Sequence, residues 1–503
     1  MPARVRRAAA VCVPALVMLA LGCWGLDRGG MWRDEAVTFQ VARRTVPQIW
    51  RLLHDVDAVH GLYYLLMHAV LAVHPGEVVL RLPSVCGAAV TACLVAALGA
   101  RLARPRVGLW AGLLYAVSPM AGHYAQEGRS YALVAAGATA ATLLFVRALR
   151  GGSWWAYGTV VALTCWLHEL AVLLLPAHAV SLALTRVGPR VWRGWGCAAA
   201  VAGLGLLPLV LASRAQSAQV AWLRPPTRAT AQGLLRTFLG PTDGVLWVCL
   251  GLALVGLLGL AGRRGEPTCA GVAAPLAVVP PVALMLVSQL SPLYVDRYVL
   301  YALSGAPLLV AAGADRLPAL RTRAPHAALA GAVAVLLVLT HQFPLLRADR
   351  DPAHRPDDLA AVARAADRKL RPGDPVLFLP ARTRNAALTY PAAFRGVRDL
   401  ALAESAAESG TLYGREAGPL SLRHRMARLE RVWVVADRDL LAGRWTPGSP
   451  VERTKSAVLA GEFTPAEESV QGEVAVRLYV RRALPGLSGA PEPPSAPPRP
   501  ARR

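Results

Sequence analysis

Apolar segments that are long enough, or nearly long enough, to cross a lipid bilayer recur eleven times in the first two thirds of this 503-residue chain. They lie near residues 8–26, 83–100, 107–122, 131–146, 154–167, 170–185, 196–213, 244–262, 270–289, 298–313 and 324–342. The whole chain is 55% hydrophobic and only 17% charged, which excludes an ordinary soluble globular protein. The sequence therefore predicts an α-helical polytopic membrane protein with about eleven transmembrane helices.

Arginine residues between these segments predict the orientation of the chain. The net charge is +23, and lysine occurs only at positions 369 and 455. Arginine clusters lie in alternate loops, at residues 4–7, 101–106, 147–150, 186–193, 263–264 and 316–323. The positive-inside rule makes these loops cytoplasmic, which places the N-terminus inside and everything after residue 343 outside. Nucleic acid is not an expected partner, because the arginines set topology rather than form one basic surface.

Composition divides the chain into three parts. Residues 1–344 form the predicted membrane domain, in which a first outer loop, 27–82, contains two interfacial helices near 46–53 and 62–73. Residues 345–483 have ordinary composition, with a helical pattern at 357–370 and strands at 376–379, 432–435 and 474–480. This region predicts an extracytoplasmic α/β domain. Residues 484–503 are rich in proline and predict a disordered tail.

An adjacent pair of carboxylates, Asp34 and Glu35, follows the first apolar segment on the predicted outer side. Carboxylates are costly at a membrane surface and indicate chemistry there, although a helix cap also fits Asp34. A carboxylate can act as a general base, and nearby positive groups or a metal can stabilise a departing anion. Asp34 is the predicted base, and Glu35 is predicted to position it or a metal. Arg129 and Arg297 are candidates for holding a phosphate, although an arginine that snorkels at a helix end would look the same.

Four short stretches in this part of the chain resemble one family. They are Trp-Arg-Asp-Glu at 32–35, Asp-Ala-Val-His-Gly-Leu-Tyr-Tyr at 57–64, Arg-Leu-Pro-Ser at 81–84 and Tyr-Ala-Gln-Glu-Gly-Arg-Ser-Tyr at 124–131. Together they resemble signature stretches of GT-C fold glycosyltransferases, especially the mannosyltransferase-like group related to protein O-mannosyltransferases and aminoarabinose transferases. The resemblance covers residues 30–135 by motif and about the first 345 by topology. The chain departs from the usual pattern at Gly61-Leu62, where Pro-Pro is common, and at Gly128, where alanine is usual.

The resemblance implies an inverting hexosyl- or pentosyltransferase that takes its sugar from a polyprenyl-phosphate donor at the cell envelope. It supports Asp34 as the catalytic acid. A divalent cation, Mg²⁺ or Mn²⁺, is a candidate cofactor, although residues 54–60 match no strict metal motif. The acceptor stays open among glycan, lipid and protein. The predicted substrate-binding residues are Asp57, His60, Tyr63, Tyr64, Glu127, Arg129, His168, Glu169 and Arg297.

Two other classes of protein also fit a chain with many apolar segments. A transporter or flippase would have acidic residues or broken helices near the centres of its spans, whereas the carboxylates here lie at segment ends. A non-catalytic scaffold for envelope assembly would need no clustered acids. Assays separate the three classes. Transfer of sugar would indicate an enzyme, movement of lipid across the bilayer a transporter, and the absence of both a scaffold.

Overall fold

The computed structural model describes residues 3–260, 262–317, 324–352 and 357–482. The chain divides into two compact units. The first comprises the residues up to Ala360 together with the segment Ser405–Gly414, and the second comprises Ala361–Glu404 and the residues from Arg415 onward. The predicted tail at 484–503 lies outside the described residues.

The first unit is helical. Its N-terminal helices are α1 (Ala3–Cys23), α2 (Arg33–Ala42), α3 (Val46–Asp55), α4 (Gly61–Leu71), α5 (Glu77–Leu102), α6 (Pro105–Ala116), α7 (Pro119–Ala125) and α8 (Tyr131–Ala148). They are followed by α9 (Trp154–Leu167), α10 (Leu174–Thr185), α11 (Pro189–Ala215), α12 (Arg228–Leu239), α13 (Asp243–Leu257), α14 (Cys269–Val287), α15 (Gly305–Ala314) and α16 (Ala324–Asp349). Short 3-10 turns occupy Ala58–His60, Glu169–Leu173, Ser217–Val220 and Asp296–Ser304.

Six helical segments of the described chain are long and apolar enough to cross a membrane, and a seventh is added if the bent pair α12 and α13 counts as one span. The six are Glu77–Leu102, Tyr131–Ala148, Pro189–Ala215, Cys269–Val287, Asp296–Ala314 and Leu329–Asp349. The chain is thus a multi-pass membrane protein. All eleven predicted segments contain helix, but a break at Pro119 interrupts the segment 107–122, and 3-10 turns occupy the first residues of the segments 170–185 and 298–313. Hydropathy alone does not register such changes of the backbone. The count of eleven crossings stays a prediction.

Close helix packing organises the core of this unit. A Cβ atom at Gly108 would lie 2.2 Å from the carbonyl oxygen of Ala96, so α5 and α6 approach at a distance that only glycine permits. A Cβ atom at Gly99 of α5 would likewise lie 2.8 Å from the Cα atom of Gly108, so both helices contribute a glycine to the contact. This packing fixes α5, which carries a buried arginine of the site at its opposite end.

The segment 27–82, predicted to be the first outer loop, contains the two helices that the sequence predicts near 46–53 and 62–73, as α3 and α4. A capping box between Thr45 and Gln48 starts α3. The segment Ser405–Gly414 packs on these helices: Arg44 donates to the Thr411 carbonyl at 2.9 Å, and Leu412 joins an apolar cluster that includes Tyr64. The residues around Tyr64 are therefore supported by chain that lies more than 300 residues away in sequence.

The second unit is an α/β domain, which confirms the predicted fold class. Its strands are β1 (Pro375–Leu379), β2 (Arg398–Asp399), β3 (Leu402–Glu404), β4 (Arg415–Glu416), β5 (Arg431–Asp437), β6 (Phe463–Gln471) and β7 (Val474–Arg481). Its helices are α17 (Leu359–Lys369, which begins in the first unit), α18 (Asn385–Thr389), α19 (Pro419–Ala427), α20 (Arg438–Leu441) and α21 (Pro450–Glu462).

The sheet of this unit has the order β2-β1-β5-β7-β6. The strand β1 pairs in parallel with β2 and β5, whereas β7 pairs antiparallel with β5 and β6. The three predicted strands correspond to β1, β5 and β7. The residues of β1 and β5 are mostly buried, and three of the eight residues of β7 are. The edge strands β2 and β6 were not predicted, because β2 has two residues and β6 is largely exposed and polar.

Candidate functional site

The adjacent acids at the start of α2 point in different directions. Successive residues on a helix are separated by about 100° around its axis, so Asp34 and Glu35 cannot face the same surface. Glu35 is 1% exposed, and its carboxylate accepts hydrogen bonds from Nε and Nη2 of Arg81 at 2.8 Å and 2.9 Å. Its Oε1 also accepts the backbone N–H of Gly128 at 2.9 Å. Glu35 therefore ties α2 to α5 and to the turn before α8.

Asp34 is the accessible member of the pair. Its side chain is 26% exposed, and one carboxylate oxygen lies 3.5 Å from Nη2 of Arg297. The backbone carbonyl of Asp34 accepts from the Thr38 hydroxyl at 3.2 Å and from Nη1 of Arg129 at 3.5 Å. A carboxylate that is open to water and flanked by two arginines has the position that a base beside an anionic leaving group requires.

Arg129 is the buried cation of the site. It is 5% exposed, and it donates from Nη1 to the Thr38 hydroxyl at 3.3 Å and from Nη2 to Nε2 of His60 at 2.6 Å. Its Nε has no hydrogen-bond partner among the described residues. A buried guanidinium with an unused donor is suited to bind an anion.

Two buried histidines, His60 and His168, lie behind Arg129 with their ring centroids 5.9 Å apart. Burial, followed by the positive charges of Arg129 and Arg297, lowers the pKa of His168 to about 3. Burial and the same arginines hold the pKa of His60 well below its usual range. Both rings are therefore neutral near pH 7, and Nε2 of His60 can accept the hydrogen bond from Arg129.

Asp57 has an unusual backbone conformation, with a φ of 57°. Its carboxylate accepts the Tyr64 hydroxyl at 2.8 Å, and its backbone N–H donates to Oε1 of Gln219 at 3.3 Å. The next backbone N–H, of Ala58, donates to Oε1 of Gln216 at 2.9 Å. Burial raises the pKa of Asp57, and the charge of the nearby arginine partly offsets this. These glutamines from beyond α11 hold the strained turn in place.

Arg297 lies among aromatic rings at the start of the segment Asp296–Ala314. Its guanidinium carbon is 5.9 Å, 5.8 Å and 5.7 Å from the ring centroids of Trp32, Tyr131 and Tyr298. Its Nε is buried and has no hydrogen-bond partner in the described part of the chain. The aromatic faces keep the cation in place without consuming its donors.

Glu127 is a buried carboxylic acid near the two arginines. It is 4% exposed, and neither of its carboxylate oxygens has a hydrogen-bond partner within the described ranges. Burial raises its pKa to about 7, and His123 and Arg297 partly oppose that rise. Near neutral pH this group is thus present in both protonation states.

Eight of the eleven predicted site residues lie around one place: Asp34, Asp57, His60, Tyr64, Glu127, Arg129, His168 and Arg297. The other three have different surroundings. Glu35 is paired with Arg81, Tyr63 is fully buried near Arg129 and Glu127, and Glu169 accepts the Ser213 hydroxyl at 2.6 Å.

Several contributing residues were not predicted to be part of the site: Trp32, Thr38, Arg81, Tyr131 and Tyr298. Three of them, Trp32, Arg81 and Tyr131, lie inside the four stretches that carry the family resemblance. Thr38 lies one helical turn after Asp34, a spacing that indicates a shared helix face.

The residues around Asp34 do not form a ready metal site. Among the described residues no group of three or more His, Cys, Asp or Glu side chains converges as metal ligands would. Asp57 already accepts from Tyr64, and His60 from Arg129. The positive charge of the site comes from guanidinium groups, and the predicted Mg²⁺ or Mn²⁺ ion stays a prediction.

No family model matches the chain, and no curated protein matches it. Several solved structures, however, are similar to it. ArnT from Cupriavidus metallidurans in the apo state superposes with a TM-score of 0.60 at 15% identity, over 93% of this chain and 97% of that one. ArnT from the same organism bound to undecaprenyl phosphate gives 0.55 at 13% identity, over the same shares of the two chains. The apo oligosaccharyltransferase of Archaeoglobus fulgidus gives 0.53 at 12% identity, over 86% of this chain and 70% of that one.

These similarities extend through both units and establish the architecture. The chain has the GT-C fold, as the four stretches near its N-terminus predicted.

Proposed function

We propose that this protein is a membrane glycosyltransferase that moves a sugar from a polyprenyl-phosphate donor to an acceptor hydroxyl at the outer face of the membrane. One observation carries the proposal: the partly exposed carboxylate of Asp34 lies 3.5 Å from Arg297, and the buried Arg129 contacts the backbone of the same residue. A base and two cations thus adjoin a single position. Glycosyl transfer from a phosphate needs this combination.

The reaction follows from this arrangement. The acceptor oxygen attacks the anomeric carbon, and its proton passes to the carboxylate of Asp34. The bond between that carbon and the phosphate oxygen breaks, and the lipid phosphate leaves with the bonding electron pair. Arg129 and Arg297 stabilise the charge that develops on the phosphate, because guanidinium donors match phosphate oxygens. Attack opposite the leaving phosphate inverts the anomeric centre.

The neutral residues behind the cations supply binding. His60 and His168 are uncharged near pH 7. They therefore offer hydrogen-bonding groups and ring surface to the substrate, and the charge that binds the phosphate comes from the arginines. The carboxyl of Glu127 has free oxygens that suit sugar hydroxyl groups. Tyr64 and Asp57 hold each other and shape the wall of the site.

A lipid-linked donor is favoured over a nucleotide sugar. The sequence contains no glycine-rich strand-turn-helix fingerprint for a nucleotide. The similar fold of an ArnT that was solved with undecaprenyl phosphate supports the same donor class here. The transferred group is proposed to be a mannosyl or related hexosyl or pentosyl unit, and the acceptor an envelope glycan, lipid or protein.

The proposal includes an orientation. The arginine-rich loops favour a cytoplasmic N-terminus, with the Asp34 site and the C-terminal α/β domain outside. No step of the reaction is routed through a metal ion.

The test is the variant Asp34→Asn, purified in lipid and assayed with a polyprenyl-phosphate sugar and a crude envelope acceptor. Loss of a general base lowers the rate by about 10²- to 10⁴-fold, whereas donor binding persists. The matched control is Asp27→Asn, which changes an exposed carboxylate in the same outer region. Near-normal transfer by Asp34→Asn would reject Asp34 as the base, and lipid movement across vesicles without transfer would favour a flippase.

A further inference from the structure

A second charged region lies at the far end of the helices that carry the site. The helix α5 has Arg81 of the site near its start and Leu102 at its end. The helix α8 begins at Tyr131, and Arg150 follows its last turn. The 18 residues of α8 extend roughly 27 Å, which is close to the thickness of the hydrocarbon core. The two regions therefore lie at opposite membrane boundaries.

A large cavity opens at this far end, with a volume of about 1240 Å³. Its charged lining consists of Arg104, Arg106, Arg150, Arg263, Arg316, Asp315 and Glu266. Five arginines face two carboxylates, which leaves an excess of three positive charges.

The charge is unevenly compensated. Asp315 is bound by Arg106 at 2.5 Å and by Arg104 at 3.5 Å. The side chains of Arg150, Arg263 and Arg316 have no hydrogen bond or ion pair within the described part of the chain. The cavity thus holds a structural ion-pair group and, separately, three cations that are available to a ligand.

The backbone adds to the positive potential. Cys269 and Ala270, in the first turn of α14, also line the cavity. The N-terminal end of a helix carries a partial positive charge and unpaired N–H groups. Leu102 and Leu258 complete an apolar part of the lining, and Leu258 is 73% exposed.

We propose that this cavity binds the phosphate head group of an anionic membrane lipid. Guanidinium groups match the oxygens of a phosphodiester, and basic pockets between membrane helices suit such head groups. The volume greatly exceeds that of a free phosphate ion, and the exposed leucine provides a surface for the start of an acyl chain. The lipid would be a resident of the leaflet opposite the Asp34 site, distinct from the sugar donor.

The experiment uses the full-length protein in a neutral detergent and counts bound lipids by native mass spectrometry. Dioleoyl phosphatidylglycerol is compared with dioleoyl phosphatidylcholine. The test variant is Arg263→Gln with Arg316→Gln, and the matched control is Arg190→Gln with Arg193→Gln, which removes two exposed arginines outside the cavity lining. We expect wild type and control to retain the anionic lipid, and the cavity variant to bind it at least about tenfold more weakly.

The single variant Arg150→Gln provides a second test in case the double variant does not fold. It should also bind phosphatidylglycerol more weakly than the wild type. Equal affinity of the cavity and control variants for phosphatidylglycerol would overturn the proposal. Equal retention of phosphatidylcholine by the wild type would do the same. Specific binding of inorganic phosphate, with no retained phosphatidylglycerol, would reject the lipid and leave a soluble anion as the ligand.

Discussion

Arg81 holds both carboxylate oxygens of Glu35, at 2.8 Å and 2.9 Å, and neither side chain is appreciably exposed. The same guanidinium donates to the carbonyl groups of Leu26 and Gly30. This interaction joins the chain before α2, the first turn of α2 and the start of α5. The outward direction of Asp34 is a consequence of it.

The first prediction concerns stability. Removing one partner of a buried ion pair leaves an uncompensated charge, so Glu35→Ala should destabilise the protein by about 3–5 kcal/mol. Thermal unfolding in detergent measures this. The control is Arg236→Gln, which breaks the exposed Arg236–Asp243 pair and should cost about 0–1 kcal/mol. An unchanged unfolding temperature for Glu35→Ala would contradict the structural role of this residue.

The second prediction concerns the phosphate contacts. Arg129→Lys retains the charge but replaces the planar fork, whose separate nitrogens contact Thr38 and His60, with a single compact ammonium, so the KM for the lipid donor should rise about tenfold or more. Arg129→Ala should be at least as severe, with insertion into the membrane unaffected. Steady-state kinetics with varied donor will show the effect. Arg43→Lys, at an exposed position in the same outer segment, should leave the KM unchanged. A normal donor KM in Arg129→Ala would return this arginine to a purely structural role.

The third prediction concerns pH. Glu127 has a pKa of about 7 when folded, above the usual value of 4.5. Its contribution to stability is therefore fully present below about pH 4.5 and is lost as the pH rises through about 7. Wild-type protein should lose up to about 3 kcal/mol of stability between pH 5 and pH 8 from this group, and Glu127→Gln should lose less. Unfolding temperatures across that range test it, with Asp55→Asn as the exposed control. Parallel pH profiles for wild type and Glu127→Gln would count against the burial of an ionisable acid.

The fourth prediction concerns topology. The arginine loops predict that Gly265 lies inside the cell and the C-terminal domain outside. Alkaline phosphatase is active only outside the cytoplasm, so a fusion after Arg482 should be active and a fusion at Gly265 inactive. Western blotting of both fusions controls for expression. The opposite pattern of activity would move the Asp34 site to the cytoplasmic face.

The sequence predicted those features of the site that depend on local pattern. Asp34, His60 and Arg129 each lie within a short motif, and the structure brings them together. The roles of Glu35 and Glu169 could not be read in this way, because their partners Arg81 and Ser213 are 46 and 44 residues away. In the amino-acid sequence, a carboxylate that forms a buried ion pair cannot be distinguished from one that faces a substrate.

The same limit applies to the fold. Strands with several buried β-branched residues, such as β5, were predicted, since their neighbours along the chain carry the signal. The exposed strand β6 exists because β7 pairs with it, and that interaction is invisible in local composition. Hydropathy located the membrane helices and the end of one of them at His168, but not the break at Pro119, because an apolar segment stays apolar when its backbone changes direction.

The excursion Ser405–Gly414 has a consequence for engineering. Because the second unit sends this segment into the first, the chain passes between the units three times, near residues 360, 404 and 414. A chimaera made at one junction would exchange the α/β domain but also replace the ten residues that pack against Arg44 and the cluster around Tyr64. Swapping C-terminal α/β domains among proteins of this architecture therefore calls for a three-junction graft that leaves the native 405–414 segment with its membrane partner.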